Sequence, residues 1–196
     1  ITLAADATIH ADLGWMRIGG TTGTGDLSIN SANSRGIFLN THSTGLAHTG
    51  KTTLTGSGQL DLYNDKQVTA SVSGLVIGGA GSRVRLHGTD NIADTVSVGI
   101  GQGTLELRSG DETIGSLAGA GSVLLNTHTL TTGDSGDDTY SGAISGSGGL
   151  IKQGSGTLTL SGNSTYSGGT TISQGELHVG HMDALGTGPV TLGDSN

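Results

Sequence analysis

The sequence predicts an all-β chain coiled as a parallel β-helix, and three observations carry the prediction. Short apolar–polar alternations recur along the chain, each bounded by Gly, Ser, Asn or Asp, the residues that make turns. No segment combines the three-four spacing of an amphipathic helix with good helix formers. The alternations return at intervals of about 20 residues, the spacing of a coil; a sandwich has longer strands and larger core residues, and a linker would not keep one face apolar through so many strands.

The elements follow in order. Ile1, Leu3, Ala5, Ala7, Ile9, Ala11 and Leu13 are apolar with mostly Thr, Asp or His between them, which reads as a strand with one buried face. The pattern returns as DLSI (26–29), GIFL (36–39), QLDL (59–62), RVRL (83–86) and TLEL (104–107). It continues as SVLL (122–125), TLTL (157–160), ELHV (176–179) and PVTL (189–192). Leu60, Val84, Leu105, Val123, Leu158 and Leu177 stand 24, 21, 18, 35 and 19 residues apart, and the long step has room for an interrupted unit. A unit of this length holding several short strands is one coil, hydrogen-bonded to its neighbours. Inward residues stacked on one another make a narrow core that suits Leu, Ile, Val and Ala. Phe, Trp and Tyr together supply only 3% of the chain. Turns at every corner account for 38 glycines in 196 residues, well above the roughly 7% of ordinary usage. About nine coils at ~4.8 Å each give a rod roughly 40 Å long.

One register expectation follows. If Leu60, Val84 and Leu105 superpose, then Asp61, Arg85 and Glu106 point outward on successive coils in the order acid, base, acid. Exposed contacts of this kind contribute only a few tenths of a kcal/mol, enough to fix register rather than stability.

Composition narrows the function. Cysteine is absent, so neither a disulfide framework nor a thiolate metal site exists. A net charge of −8, with eight Lys and Arg scattered along the chain, speaks against nucleic acid and against an anionic membrane surface. No window approaches the ~18 apolar residues of a spanning helix. The N-terminal ITLAADATIH lacks the basic start and apolar run of a signal peptide, so an exported form would be a mature fragment.

From Gly149 the chain reads GLIKQGSGTLTLSGNSTYSGGTTISQGELHV. This resembles the passenger-associated strand repeat of bacterial autotransporters. GDETIGSLAGAGSVLL (110–125), TYSGAISGSG (139–148) and ALGTGPVTLG (184–193) resemble neighbouring coils of that family. The likeness is strongest over 110–193, within a chain (1–196) read as a single passenger fragment. Ser164 stands where the family places Asn before Thr-Tyr, so a stacked asparagine at that turn is not carried over. The resemblance implies a right-handed β-helical passenger that crosses the outer membrane unfolded and is exposed on a Gram-negative cell. It also implies a C-terminal outer-membrane β-barrel translocator, whose ~10-residue alternating membrane strands this chain lacks.

Several strings imitate active sites. GLAHTGKT (45–52) matches the phosphate loop G-x-x-x-x-G-K-[ST], but that loop needs a following helix, and TTLTGSGQLDL is a poor one. GDSG (133–136) imitates a serine-protease nucleophile, yet no His lies in a protease-like context to serve Ser135. Asp134, Asp137 and Asp138 cluster without the D-x-[DN]-x-[DN]-G of a calcium loop. GGAGSRVRL (78–86) nearly spells a calcium β-roll repeat, with Arg83 in place of the ligand Asp. His178 and His181 converge only if a turn intervenes at Gly180.

The resulting expectation is a non-enzymatic, surface-exposed segment acting as an adhesin or as the rigid stem that displays one. It assigns no catalytic, cofactor or metal residue and no nucleotide, and expects a host receptor, a glycan or another bacterial cell as partner. The alternative is a carbohydrate-active β-helix, a lyase or hydrolase, using the acidic loop Asp134–Asp138. That chemistry would need basic residues converging on the loop, and the nearest cation, Lys152, belongs to the repeat motif.

Overall fold

The structure, a computed structural model, describes residues 2–10, 16–18, 21–31, 36–39, 46–63, 68 and 72–193. All strand pairs among them are parallel, and no helix occurs among these residues. Each coil contributes to three faces. The first is a nine-stranded sheet, the second a seven-stranded sheet, and the third ends in a five-stranded sheet. Nine strands stacked one per coil climb about eight turns, or roughly 38 Å at ~4.8 Å per rise.

The expected initial strand is divided. Thr2–Leu3 joins the third face and Ala7–His10 the first, with a bend between them. Asp6 opens the second of these strands by turning the corner, which alternation alone does not disclose. Ile1, Ala11 and Leu13 lie outside the described residues.

Inward columns follow the hydrophobic pattern. On the first face Ile9, Ile29, Leu54, Ile77 and Ile100 stand in register. On the second, Leu60, Val84, Leu105 and Val123 stack as the spacing predicts. The next member is Ile144, and Leu158 and Leu177 pair with each other on the first face instead. The 35-residue step thus hid a whole coil and changed faces. That coil's strands, Asp138–Tyr140 and Ala143–Ser145, are three residues each and carry Asp138 at an inward register position, so no apolar alternation marks them.

The core is thin but closed. Leu27, Leu54, Leu60, Ile77, Val84, Leu105 and Leu130 are fully buried, each contributing about 1.5–3 kcal/mol. The two buried tyrosines satisfy their hydroxyls: Tyr140 donates to the Gly121 carbonyl at 2.8 Å, and Tyr166 bonds Thr170 Oγ1. Glycine is required where coils touch at a corner. A Cβ on Gly142 would meet the Gly121 carbonyl oxygen at 1.8 Å, and one on Gly162 the Gly142 oxygen at 1.9 Å. Gly121, Gly142 and Gly162 therefore form a ladder that lets successive coils approach.

Candidate functional site

The outer surface of the second face carries the densest chemistry. Strands Gln59–Leu62, Arg83–Leu86 and Thr104–Leu107 lie side by side, with Asp61, Arg85 and Glu106 in register as expected. Leu60, Leu62, Val84, Leu86, Leu105 and Leu107 point inward, so the intervening residues point out. Asp61 and Glu106 are nevertheless buried, at 0% and 5% exposure, which corrects the expectation of weak, exposed contacts. The neighbouring long side chains fold over them. Asp61 accepts hydrogen bonds from Arg85 Nε at 2.6 Å and Gln59 Nε2 at 2.8 Å, and pairs with His87 Nε2 at 2.8 Å. Burial alone would raise the Asp61 carboxyl, but its bonds with Arg85, His87 and Gln59 outweigh that and hold it below the ordinary range.

Glu106 is held by two guanidiniums. Arg83 Nη1 and Arg108 Nη1 each donate to one of its oxygens at 3.2 Å. The two guanidinium side chains remain 47% and 44% exposed. Beside them the Tyr63 and His87 rings stack with centroids 4.2 Å apart and planes 14° from parallel. The carboxylates are thus submerged, and Arg83, Arg85, Arg108 and an aromatic pair form the surface above them.

The acidic loop is built differently. Asp134 Oδ1 accepts the Gly136 N–H at 2.6 Å, and Asp137 Oδ1 accepts the Thr157 N–H of the next coil at 2.8 Å. Asp6 takes the Asp26 N–H and Asp26 the Lys51 N–H in the same way, at 2.9 and 2.7 Å. Asp6, Asp26 and Asp137 each immediately precede a first-face strand and staple the equivalent residue one coil on. Asp138 is half-buried; burial and Asp134 raise its pKa against a hydrogen bond with Ser116. It borders a shallow trough of about 350 Å³ floored by Gly74, Gly99 and Ala118, with Lys51 at its rim. Lys152 is buried, and its ammonium donates to the carbonyls of Gln153, Gly154 and Gln174 at 2.6, 2.8 and 3.2 Å. Burial lowers its pKa against the pull of Asp134 and Asp138.

The other strings resolve into ordinary elements. Lys51 opens the strand Lys51–Gly56, so a strand occupies the place of the phosphate loop's helix; Gly45 lies outside the described residues. His48, inside that string, is fully buried between Thr21 Oγ1 at 2.8 Å and Thr52 Oγ1 at 3.1 Å. Ser135 is exposed in its bend. His178 bonds Glu176 at 2.7 Å, while His181 accepts the Asp183 N–H at 3.1 Å. No group of three or more metal-ligating side chains converges among the described residues. Sequence reasoning missed Glu112, whose buried carboxyl oxygens accept the N–H groups of Asn91 and Ile92 at 2.9 and 2.8 Å. It continues the third face where the backbone bridges Thr21–Leu46–Val68–Ile92 end.

The coil from Leu150 joins these features to a known pattern. Residues 150–179 match the passenger-associated-transport-repeat. No curated protein and no solved structure matches the chain. The repeat and the parallel solenoid together fit an autotransporter passenger with repeats. Such a repeat in a passenger implies export to the surface of a Gram-negative cell and a C-terminal translocator in the full-length protein. Within the repeat, Lys152 clamps three carbonyls, Tyr166 bonds Thr170, and Ser164 Oγ accepts the Ile144 N–H of the preceding coil at 3.1 Å. Ser164 therefore joins coils by a side-chain bond to backbone at the position where the family pattern has asparagine.

Proposed function

We propose that this chain is a non-enzymatic passenger segment, displayed outside the cell as an adhesin or as the rigid stem of one. The observation that carries the reading is the transport repeat at 150–179, set in the parallel nine-stranded first-face ladder that runs from Ala7–His10 to Glu176–Val179. A rod of stacked coils presents its outer faces at fixed spacing, so contact is made by geometry rather than by a closing pocket. The partner is a host-cell receptor, a glycan or another bacterial cell. The acidic loop supports this reading over the carbohydrate-active alternative, because Asp134 and Asp137 are engaged with backbone N–H groups and Lys152 with carbonyls.

The test pairs two assays of the purified chain. Labelled chain is applied to host and bacterial cells, and separately to acidic and neutral polysaccharides with product analysis. Saturable cell binding without chain cleavage supports an adhesin; neither activity supports a stem. Polysaccharide cleavage abolished by Asp138→Asn overturns the proposal in favour of the enzyme.

A further inference from the structure

We propose that the second face between Gln59 and Arg108 binds an anionic glycan, one bearing carboxylate or sulfate groups along its chain. The inference rests on the surface-display reading and names the chemistry of its partner. Three adjacent strands, each with the residue that follows it, present Gln59, Asp61, Tyr63, then Arg83, Arg85, His87, then Thr104, Glu106, Arg108. Three guanidiniums meet two carboxylates there, in a chain whose net charge is −8. The two carboxylates are submerged, so the accessible layer is cationic.

Submersion also orients the cations. Glu106 holds Arg83 and Arg108 through one Nη1 each, leaving outer guanidinium edges at the surface. Such planar forks match carboxylate and sulfate oxygens in pairs. Asp61 fixes Arg85 and His87 from below, and His87 backs the ring of Tyr63, which is 39% exposed. A rigid aromatic face beside charged forks suits a sugar ring carrying an acidic group. Two intervals of ~4.8 Å between strands and four residues at ~3.3 Å give a footprint of about 10 by 13 Å, the size of a short oligosaccharide. A nucleic acid rewards a longer basic track than this patch supplies.

The test measures binding of the whole chain to heparin, polygalacturonate, neutral dextran and duplex DNA, with the cell-binding assay run beside it. The variants are Arg83→Gln and Arg108→Gln, each leaving Glu106 one cation, with Lys51→Gln on the first face as control. Binding to heparin or polygalacturonate but not dextran, weakened by salt, is expected. Each Arg variant should lose roughly tenfold in affinity while its far-ultraviolet circular dichroism and the binding of Lys51→Gln stay unchanged. Heparin alone identifies sulfate as the recognised group, and polygalacturonate alone identifies carboxylate. Equal binding to dextran, preference for DNA, or no loss in either Arg variant overturns the proposal. Cell binding that persists without any glycan binding overturns this inference and leaves the surface-display reading standing.

Discussion

Replacing Arg85 with Met should destabilise the fold far more than loss of a surface ion pair would. Asp61 is fully buried, and Arg85 Nε at 2.6 Å is the closest of its partners. Arg85→Met leaves a carboxylate bonded to Gln59 and His87 but without its guanidinium counter-charge. Stranding a buried charge this way costs about 3–5 kcal/mol, against ~0–1 kcal/mol for an exposed pair. The second substitution, Asp61→Leu, removes the stranded charge, so the double variant should recover most of the loss. Chemical denaturation of the four proteins, followed by far-ultraviolet circular dichroism, gives the cycle. A cost below ~1 kcal/mol for Arg85→Met, or a double variant no better than the single one, would refute the claim that Asp61 is submerged and paired.

Two further outcomes probe the corners and the third face. Gly142→Ala places a methyl group against the Gly121 carbonyl and disturbs the neighbouring Ser141–Gly119 and Ser161–Tyr140 backbone bonds, costing about 2–4 kcal/mol in thermal or denaturant unfolding; Gly136→Ala, whose nearest contact is the Asp134 side chain, should cost less. Burial pushes Glu112 up to about 8, against the pull of the Ile92 and Asn91 N–H bonds. Its folded pKa exceeds the ordinary 4.5, so stability present at low pH is lost as pH rises between those values. Relative to Glu112→Gln, the parent chain should lose roughly 3–4 kcal/mol of unfolding free energy between pH 5 and 8.5; parallel pH profiles would contradict this.

The sequence carried the large features and hid the small ones. Apolar alternation made Leu60, Val84, Leu105 and Val123 legible as one column, because a buried column must be apolar at every coil. It lost Ile144 because that strand is short and flanked by Ser and Gly, and it then followed Leu158 onto another face. The outward register of Asp61, Arg85 and Glu106 was readable, but the burial of Asp61 and Glu106 was not, since Arg85, His87 and Arg83 from adjacent coils supply much of the cover. The Asp staples, Glu112 and the His48 bridge all bond groups 20 to 27 residues away or across a corner, which local pattern does not reveal. The one available signal was an Asp directly before a strand, as at Asp6, Asp26 and Asp137.

Surface display of this segment makes the loop at Ser135 accessible from outside the intact cell. An epitope is inserted at that exposed position in the full-length protein, and intact Gram-negative cells expressing it are probed with antibody and external protease. Intact cells should be labelled, and protease should release the epitope while cytoplasmic markers stay protected. An epitope reached only after the outer membrane is broken would contradict surface display.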